Sequence, residues 1–312
     1  MAHHDFTPEV YYSAIGSHEP VLHIADGDSV STTTVDAGGG DASGKQATPG
    51  GNPQTGPFYI DGAEPDDTIS VTFDSLVPNR KLGFTSGVIA PNVLDFGYQP
   101  KFEDDRNRLE WEIDLENGTA SPVGFDDLPL KNLKLPLDPM VGCFGVAPPR
   151  GQAISTATSS THGGNMDYRR FVQGTTVYFP VFVSGALFHI GDGHALQGDG
   201  EIVGTGIEIS FDVTFTVNLH KGKKIQWPRA ENKTHVMAVG NARPLDQAVQ
   251  HATTEMIELL EQDYGLDART IHILMGQAVE YEVGNIYDPA YTMVCKMSKD
   301  TLASIGAERQ LG

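Results

Sequence analysis

The chain reads as a mainly β protein, a β-sandwich or barrel-like arrangement with a few helices, α+β by strict counting. Three observations lead there. Apolar residues make up 39% of the 312 positions, glycine and proline number 35 and 19, and apolar and polar residues alternate over many short runs. Glycine and proline punctuate a chain into short strands and tight turns, and alternation with period two places one face of each strand in a core. The length suffices for a core without staples, and no internal repeat or linker stands out, so one domain over 1–312 is expected.

Taken in order, Leu22 and Ile24 mark a first strand. Residues 36–57 (DAGGGDASGKQATPGGNPQTGP) follow, so rich in Gly, Pro, Ser and Thr that a flexible loop is expected. Its glycines lack the spacing and the following helix of a phosphate-cradling loop. Ile69, Val71 and Phe73 then alternate, as do Leu109, Trp111, Ile113 and Leu115 before the turn at Asn117-Gly118. An apolar strand is expected over 176–187. The clearest alternation runs from Ile207 through Ile209, Phe211, Val213, Phe215 and Val217 to Leu219, with Glu208, Ser210 and Asp212 on the opposite face. Leu245, Ala248, Val249, Ala252, Met256, Leu259 and Leu260 fall at helical spacing with Gly265 just beyond, which predicts one long helix near 245–262. A strand-like pair is expected over about 270–283 and 291–296, separated by the turn Tyr287-Asp288-Pro289.

Charge and composition exclude several functions. A formal charge of −20 repels a phosphate backbone, and no Lys/Arg run offsets it, so nucleic acid is not an expected partner. No apolar run reaches the length of a membrane span and the N-terminus lacks a signal-peptide core, so no membrane partner is expected. The two cysteines, Cys143 and Cys295, form neither a disulfide framework nor a thiolate zinc knuckle, which fits a cytoplasmic protein.

Two segments concentrate groups able to do chemistry. Residues 162–167 read His-Gly-Gly-Asn-Met-Asp, an imidazole, an amide and a carboxylate around a glycine pair that permits unusual backbone angles. In residues 191–201, Asp192, His194, Gln197, Asp199 and Glu201 are interleaved with glycines. Imidazole and carboxylates are the ligands a divalent cation wants, and such a cation acidifies water enough to attack an amide carbonyl. On spacing alone the competing reading stands: Gly-Asp-Gly is an ordinary hairpin turn, and His194 a histidine bonded to backbone.

The segments NPQTGPFYIDGAEPDDTISV (52–71), VGCFGVAP (141–148), HGGNMDYRRF (162–171) and VYFPVFVSGALFHIGDGHALQGDGEIVGTGIE (177–208) resemble the acetamidase/formamidase family in sequence and in order. The resemblance covers most of residues 15–296. It implies a β-rich fold, hydrolysis of a small amide substrate such as formamide or acetamide to ammonia and a carboxylate, a divalent metal, and a homo-oligomer.

The matching polar positions are Asp36, Glu64, His162, Asn165, Asp167, Asp192, His194, Gln197, Asp199, Glu201 and Glu208. Among them His162, Asp192 and His194 are assigned to the metal, because two imidazoles and a carboxylate leave a coordination position open. Two imidazoles favour zinc over calcium, which prefers six to eight oxygens. Glu64 or Glu201 is assigned as general base, and Asn165 or a glycine N–H of 163–164 as oxyanion donor. Asp36, Asp167, Gln197, Asp199 and Glu208 are assigned supporting or substrate-contacting roles. Each has a plainer counterpart: Glu64 closing a turn, Asp36 capping a loop, Glu208 solvated on a strand face.

Departures from the family pattern are Gly38-Gly39-Gly40-Asp41, the acidic run Glu103-Asp104-Asp105, and Asp66-Asp67 in place of a Gly-Asp pair. Two rival functions remain in view. One is a non-catalytic small-molecule or metal-binding protein on the same scaffold; the other is an amidase that uses Cys143 as a thiolate nucleophile.

Overall fold

The computed structural model describes residues 1–99, 108–125 and 129–309. The acidic run Glu103-Asp104-Asp105 lies outside the described residues. Alternation along the strands sorts side chains between two large sheets and a helical layer. The first sheet has nine strands in the order His3–Asp5, Ser29–Thr33, Phe211–His220, Thr68–Pro78, Thr176–Pro180, Arg229–Glu231, His235–Ala242, Tyr291–Ser298 and Glu280–Asn285. The second has six, in the order Ser159–Ser160, Gly163–Asn165, Met140–Gly145, Phe188–His194, Thr55–Ile60 and Leu22–Ile24. A four-stranded sheet that includes Leu82–Ser86 and Arg108–Asp114 flanks them.

The main core lies between the large sheets. Phe73 meets Phe144 edge to face at 5.1 Å, and Phe58 and Phe188 approach Phe215 at 5.2 and 5.4 Å. Such pairs add about 0.5–1.5 kcal/mol each beyond the area they bury. A second cluster forms on the opposite face of the nine-stranded sheet. There Val236, Ala238, Cys295 and Met297 pack under α1 (Leu245–Tyr264) and α2 (Ala268–Ala278), while Met237, Val239 and Val294 point the other way into the main core. The helix α1 lies close to the sheet because Gly240 has no side chain: a methyl there would stand 2.1 Å from the Ala248 carbonyl oxygen. Arg229, buried with Glu255 and Asp263, ties the same helix down.

The expected helix is present and ends where glycine was expected to end it. Gly265 adopts a left-handed φ of 64°, and its N–H reaches the carbonyls of Leu260 and Glu261. Other expectations need correction. Residues 268–278 are helix rather than strand, because the Asp267 side chain caps the free N–H groups of Arg269 and Thr270 and outweighs the β-branched residues that follow. The strand expected over 176–187 stops at Pro180, and a separate strand, Phe188–His194, carries the Gly-Asp-Gly-His run read as a turn.

The long alternating strand begins at Phe211. Ile207 to Ile209 instead cross to the edge of the site, where Glu208 bridges both Phe84 and His194. Within 36–57, Thr55 to Pro57 already belong to a strand. The preceding loop is closed on itself by bonds among Asp36, Gly39, Gly40, Asp41 and Lys45, and Arg80 pairs with Asp36 and reaches the carbonyls of Gly40 and Asp41. Among the described residues no helix is long and apolar enough to cross a membrane.

Candidate metal centre and comparison with known proteins

The site is built where Phe188–His194 pairs antiparallel with Met140–Gly145, which pairs in turn with Gly163–Asn165. Asp192 and His194, two apart on one strand in unbroken register with Met140–Gly145, share a face, and the backbone is left-handed at Asp192 (φ 60°), Asp167 (φ 41°) and Glu201 (φ 48°). Gly142 makes the room. A methyl there would lie 2.1 Å from Asp167 Oδ1, 2.8 Å from Asp192 Oδ2 and 3.2 Å from His194 Cε1. Gly206 does the same on the other side, where a methyl would stand 2.5 Å from the His194 ring.

His194 is the centre of the arrangement and is fully buried. Its Nδ1 lies 2.9 Å from Gln197 Oε1, and Gln197 Nε2 donates to the Asp167 carbonyl at 2.5 Å. A carbonyl only accepts, so the Gln197 nitrogen faces it, the Gln197 oxygen faces the ring, and Nδ1 is the donor. With Nδ1 committed to Gln197, Nε2 is the nitrogen that faces the carboxylates, as an N–H donor when the ring is charged and as a lone pair once a cation displaces that proton: Glu208 Oε1 at 2.9 Å, Asp192 Oδ1 at 3.4 Å and Glu201 Oε1 at 4.0 Å. Asp167 Oδ1 and Glu208 Oε2 make no hydrogen bond there. Two overlapping groups, Asp167–His194–Glu201 and Asp192–His194–Glu208, each bring their ligand atoms within 4.8 Å of one another.

The electrostatics follow from this crowding. Burial pushes the carboxyls of Asp167 and Glu201 well above the usual carboxylate range, and neighbouring carboxylates push them further. Burial lifts Glu208 to about 7 and Asp288 to about 6. Burial raises Asp192, but His194 together with hydrogen bonds from Asn52 and Glu208 brings it down, and Glu208 and Asp192 likewise hold His194 well above the ordinary imidazole range against burial. Asp167, Asp192, Glu201, Glu208 and Asp288 thus share one imidazole in a region sealed from water. Ionising them together calls for protons or a cation. The donor set of one imidazole and several carboxylate oxygens fits a divalent cation.

The structure gathers Asp167, Asp192, His194, Gln197, Glu201 and Glu208 at one point. Asn165 joins at the rim, accepting from Asn52 Nδ2 at 2.8 Å and donating to Asp288 Oδ2 at 2.5 Å. It leaves others outside. His162 belongs to neither group of ligand atoms. It is fully buried beyond the glycine pair, with no hydrogen bond to either ring nitrogen, and burial pulls its pKa down to about 4. Glu64 is exposed, accepts from Ser184 Oγ at 2.7 Å and belongs to neither group of ligand atoms. Asp199 is exposed and lies 3.6 Å from Arg169, because Gly198 and Gly200 let the chain carry it outward while Glu201 turns in. Asp36 is buried against Arg80 and caps Gly40 at 2.9 Å. It lines a pocket of about 500 Å3, with Gly38, Arg80, Gly83 and Arg108, that borders the backbone carrying Glu208, and no residue of the carboxylate group lines that pocket.

Sequence reasoning missed Asn52, Asn285 and Asp288. The last two stand in the Asn-Ile-Tyr-Asp-Pro turn, where an Asn two residues before a Tyr-Asp-Pro was the available signal. Asn285 Nδ2 lies 2.7 Å from Asp167 Oδ2, 2.8 Å from Asp288 Oδ2 and 3.1 Å from Glu201 Oε2. Cys143 is also buried at this junction, 3.7 Å from the Thr156 carbonyl. Burial and the nearby Asp192 and Asp167 push its thiol well above its usual range, which disfavours a thiolate nucleophile.

A family model described as the acetamidase/formamidase family matches residues 150–299. The acetamidase of Mycolicibacterium smegmatis is 43% identical over 216 residues, a match that covers 54% of this chain and 53% of that protein, so the match spans about half the length of this relative. Among solved structures, an acetamidase from Yersinia enterocolitica superposes with a TM-score of 0.82 at 32% identity, covering 97% of this chain and 93% of that one. An acetamidase from Bacillus halodurans does so with a TM-score of 0.81 at 28% identity, covering 97% and 100%. The long motifs, the fold over nearly the full length of both chains, and the identity to the Yersinia protein together place this chain in the acetamidase/formamidase family.

Proposed function

We propose that this protein hydrolyses a short aliphatic amide, of the formamide or acetamide type, to ammonia and a carboxylate with the help of a divalent cation. One observation carries the cation: the buried His194 Nε2, its ring oriented by Gln197, sits among carboxylate oxygens of Glu208, Asp192, Asp167 and Glu201, in two overlapping groups whose ligand atoms lie within 4.8 Å of one another. His194, Asp192 and Glu208 would hold it, with Asp167 completing the set. A bound divalent cation polarises an amide carbonyl and lowers the pKa of water. Zinc is proposed as that cation; the separation of His162 leaves one imidazole among oxygens and makes calcium the alternative to test beside it.

The chain's own groups supply the rest. Glu201 stands beside His194 with burial raising its proton affinity, which suits a group that takes a proton from water and returns it to departing ammonia. Asn165 Nδ2, anchored on Asp288, has a second hydrogen to offer a developing oxyanion. Gln197 holds the His194 ring in one tautomer. The acetamidases and formamidase among the relatives support the substrate class. Self-association and a cytoplasmic location belong to the same proposal.

The test is an ammonia-release assay over formamide, acetamide, propionamide and longer amides, with added zinc, added calcium, or chelator. Turnover of a short amide that chelator abolishes and zinc restores is the expected result. Full activity after chelation, or in His194→Ala, would overturn the cation assignment. Silence on every amide would favour a non-catalytic binding protein.

A further inference from the structure

We propose that Asn285 is a positioning residue that decides which carboxylate oxygens face the cation; the inference rests on the cation centre proposed above. The residue comes from the far edge of the nine-stranded sheet, at the end of the strand Glu280–Asn285, and meets a site built mostly on the other sheet. A bridge between Gly200 and Asn285, with Gly200 N–H on the Gly284 carbonyl at 3.1 Å and Ile286 N–H on the Gly200 carbonyl at 2.9 Å, brings the two together.

The orientation of its amide is not in question. Asn285 Oδ1 accepts the backbone N–H groups of Tyr287 at 2.7 Å and Asp288 at 3.0 Å, and an N–H cannot donate to an NH2 group. Nδ2 is therefore the end that faces the carboxylates. Its two hydrogens are shared among three oxygens, Asp167 Oδ2 at 2.7 Å, Asp288 Oδ2 at 2.8 Å and Glu201 Oε2 at 3.1 Å. In Asp167 and Glu201 the other oxygen is the one turned toward the centre: Asp167 Oδ1 has no hydrogen bond, and Glu201 Oε1 lies 4.0 Å from His194 Nε2. Two carboxylates that could each present either oxygen are thereby sorted, one oxygen tethered and one presented. Asp288 Oδ2 accepts from both Asn285 at 2.8 Å and Asn165 at 2.5 Å, so it serves as the anchor that steadies both amides. Outer partners of this kind fix the direction of a ligand, and their loss typically costs ten- to a hundredfold in metal affinity.

The experiment compares the unaltered full chain with Asn285→Asp, both stripped by chelator and dialysed. Zinc affinity is measured by calorimetry, and the visible absorption of added cobalt reports the ligand set. Asn285→Asp keeps the oxygen that caps Tyr287 and Asp288 but turns the donor toward Asp167 and Glu201 into an acceptor. Zinc is expected to bind about tenfold or more weakly, with a changed cobalt spectrum, while the metal-free melting temperature moves by no more than a few degrees. If Asn285→Asp does not fold, Asn285→Ser, which keeps a turn-capping oxygen and loses the amide, is read in the same way. Zinc affinity within twofold and an unchanged cobalt spectrum would overturn the inference. Failure of the unaltered chain to bind either ion would overturn the cation centre itself, so the two outcomes are distinct.

Discussion

Gly142→Ala is the smallest change that tests the whole centre. A single methyl at this position would sit 2.1 Å from Asp167 Oδ1 and 2.8 Å from Asp192 Oδ2, against the 3.4 Å at which ordinary contact begins. The backbone cannot retreat. The Gly142 carbonyl accepts from both Met166 and Asp167, at 3.0 and 3.1 Å, and its neighbours Val141 and Cys143 are paired across to Gly193 and Gly191. The Asp167 carboxylate must therefore withdraw by more than an ångström, away from His194. Overpacking of this kind costs about 1–3 kcal/mol of stability, and misplacing a reacting group by about 1 Å can cost on the order of a hundredfold in rate. The variant is expected to melt a few degrees lower, to bind zinc at least tenfold more weakly, and to release ammonia about a hundredfold more slowly. Calorimetry with zinc and an acetamide assay on the same preparation read all three. Gly198→Ala, in the same segment but with nothing within 4 Å, should match the unaltered chain in both assays. If Gly142→Ala bound zinc within twofold of the parent and kept its rate, the carboxylates it crowds would not form the centre.

Three further outcomes follow from the same geometry. Glu208 and Asp288 bind protons more tightly folded, at about 7 and about 6, than unfolded near 4.5 and 3.8, and His194 holds its proton well above 6.5. Above about 6.5, where the buried His162 and His189 are neutral in both states, the native state carries the excess protons, and the melting temperature of chelated protein should fall as pH rises from 6.5 to 8; a flat or rising profile there would refute the buried cluster. Arg229→Ala leaves Glu255 buried without its ion-pair partner, while Asp263 keeps Lys223 and Arg309, and should cost about 3–5 kcal/mol in denaturant unfolding, with ammonia release per folded molecule unchanged. Iodoacetamide under native conditions should leave activity intact, since Cys143 is sealed and its thiol held protonated; stoichiometric inactivation would revive the thiol mechanism.

How much of this was legible depended on the range of the interaction. The helix over Leu245–Tyr264 was readable because Ala252, Met256 and Leu259 repeat at the spacing of one buried face and Gly265 ends it, all within a local stretch. The strand core was readable for the same reason: Val213, Phe215 and Val217 alternate against the polar Thr214 and Thr216. At α2 a strand was expected from about 270, and a local cap at Asp267 decided otherwise. The chemical types in the centre were visible too, since His194, Asp192 and Glu201 lie together in the sequence. Their selection was not. Glu201 and Asp199 differ only by two positions, and a left-handed turn sends one inward and the other to Arg169. His162 looked equivalent to His194, but the pairing of Gly163–Asn165 with Met140–Gly145 buries it elsewhere. Asn285 and Asp167 are 118 residues apart, a distance over which no spacing rule operates.

That separation also orders events during synthesis. A ribosome that has released the first 280 residues has already supplied Asp167, Asp192, His194, Glu201 and Glu208, yet not the amide that sorts their oxygens or the Asp288 anchor. With elongation at about 5–20 residues per second, the last strands arrive seconds after the carboxylates. Until then the half-made chain lacks Asn285 and Asp288, which arrive with the strands Glu280–Asn285 and Tyr291–Ser298. Completion of the fold and completion of the carboxylate cluster are in this way one step, and a product cut short before its final strands would hold His194 and its carboxylates and still lack the amide that spans them.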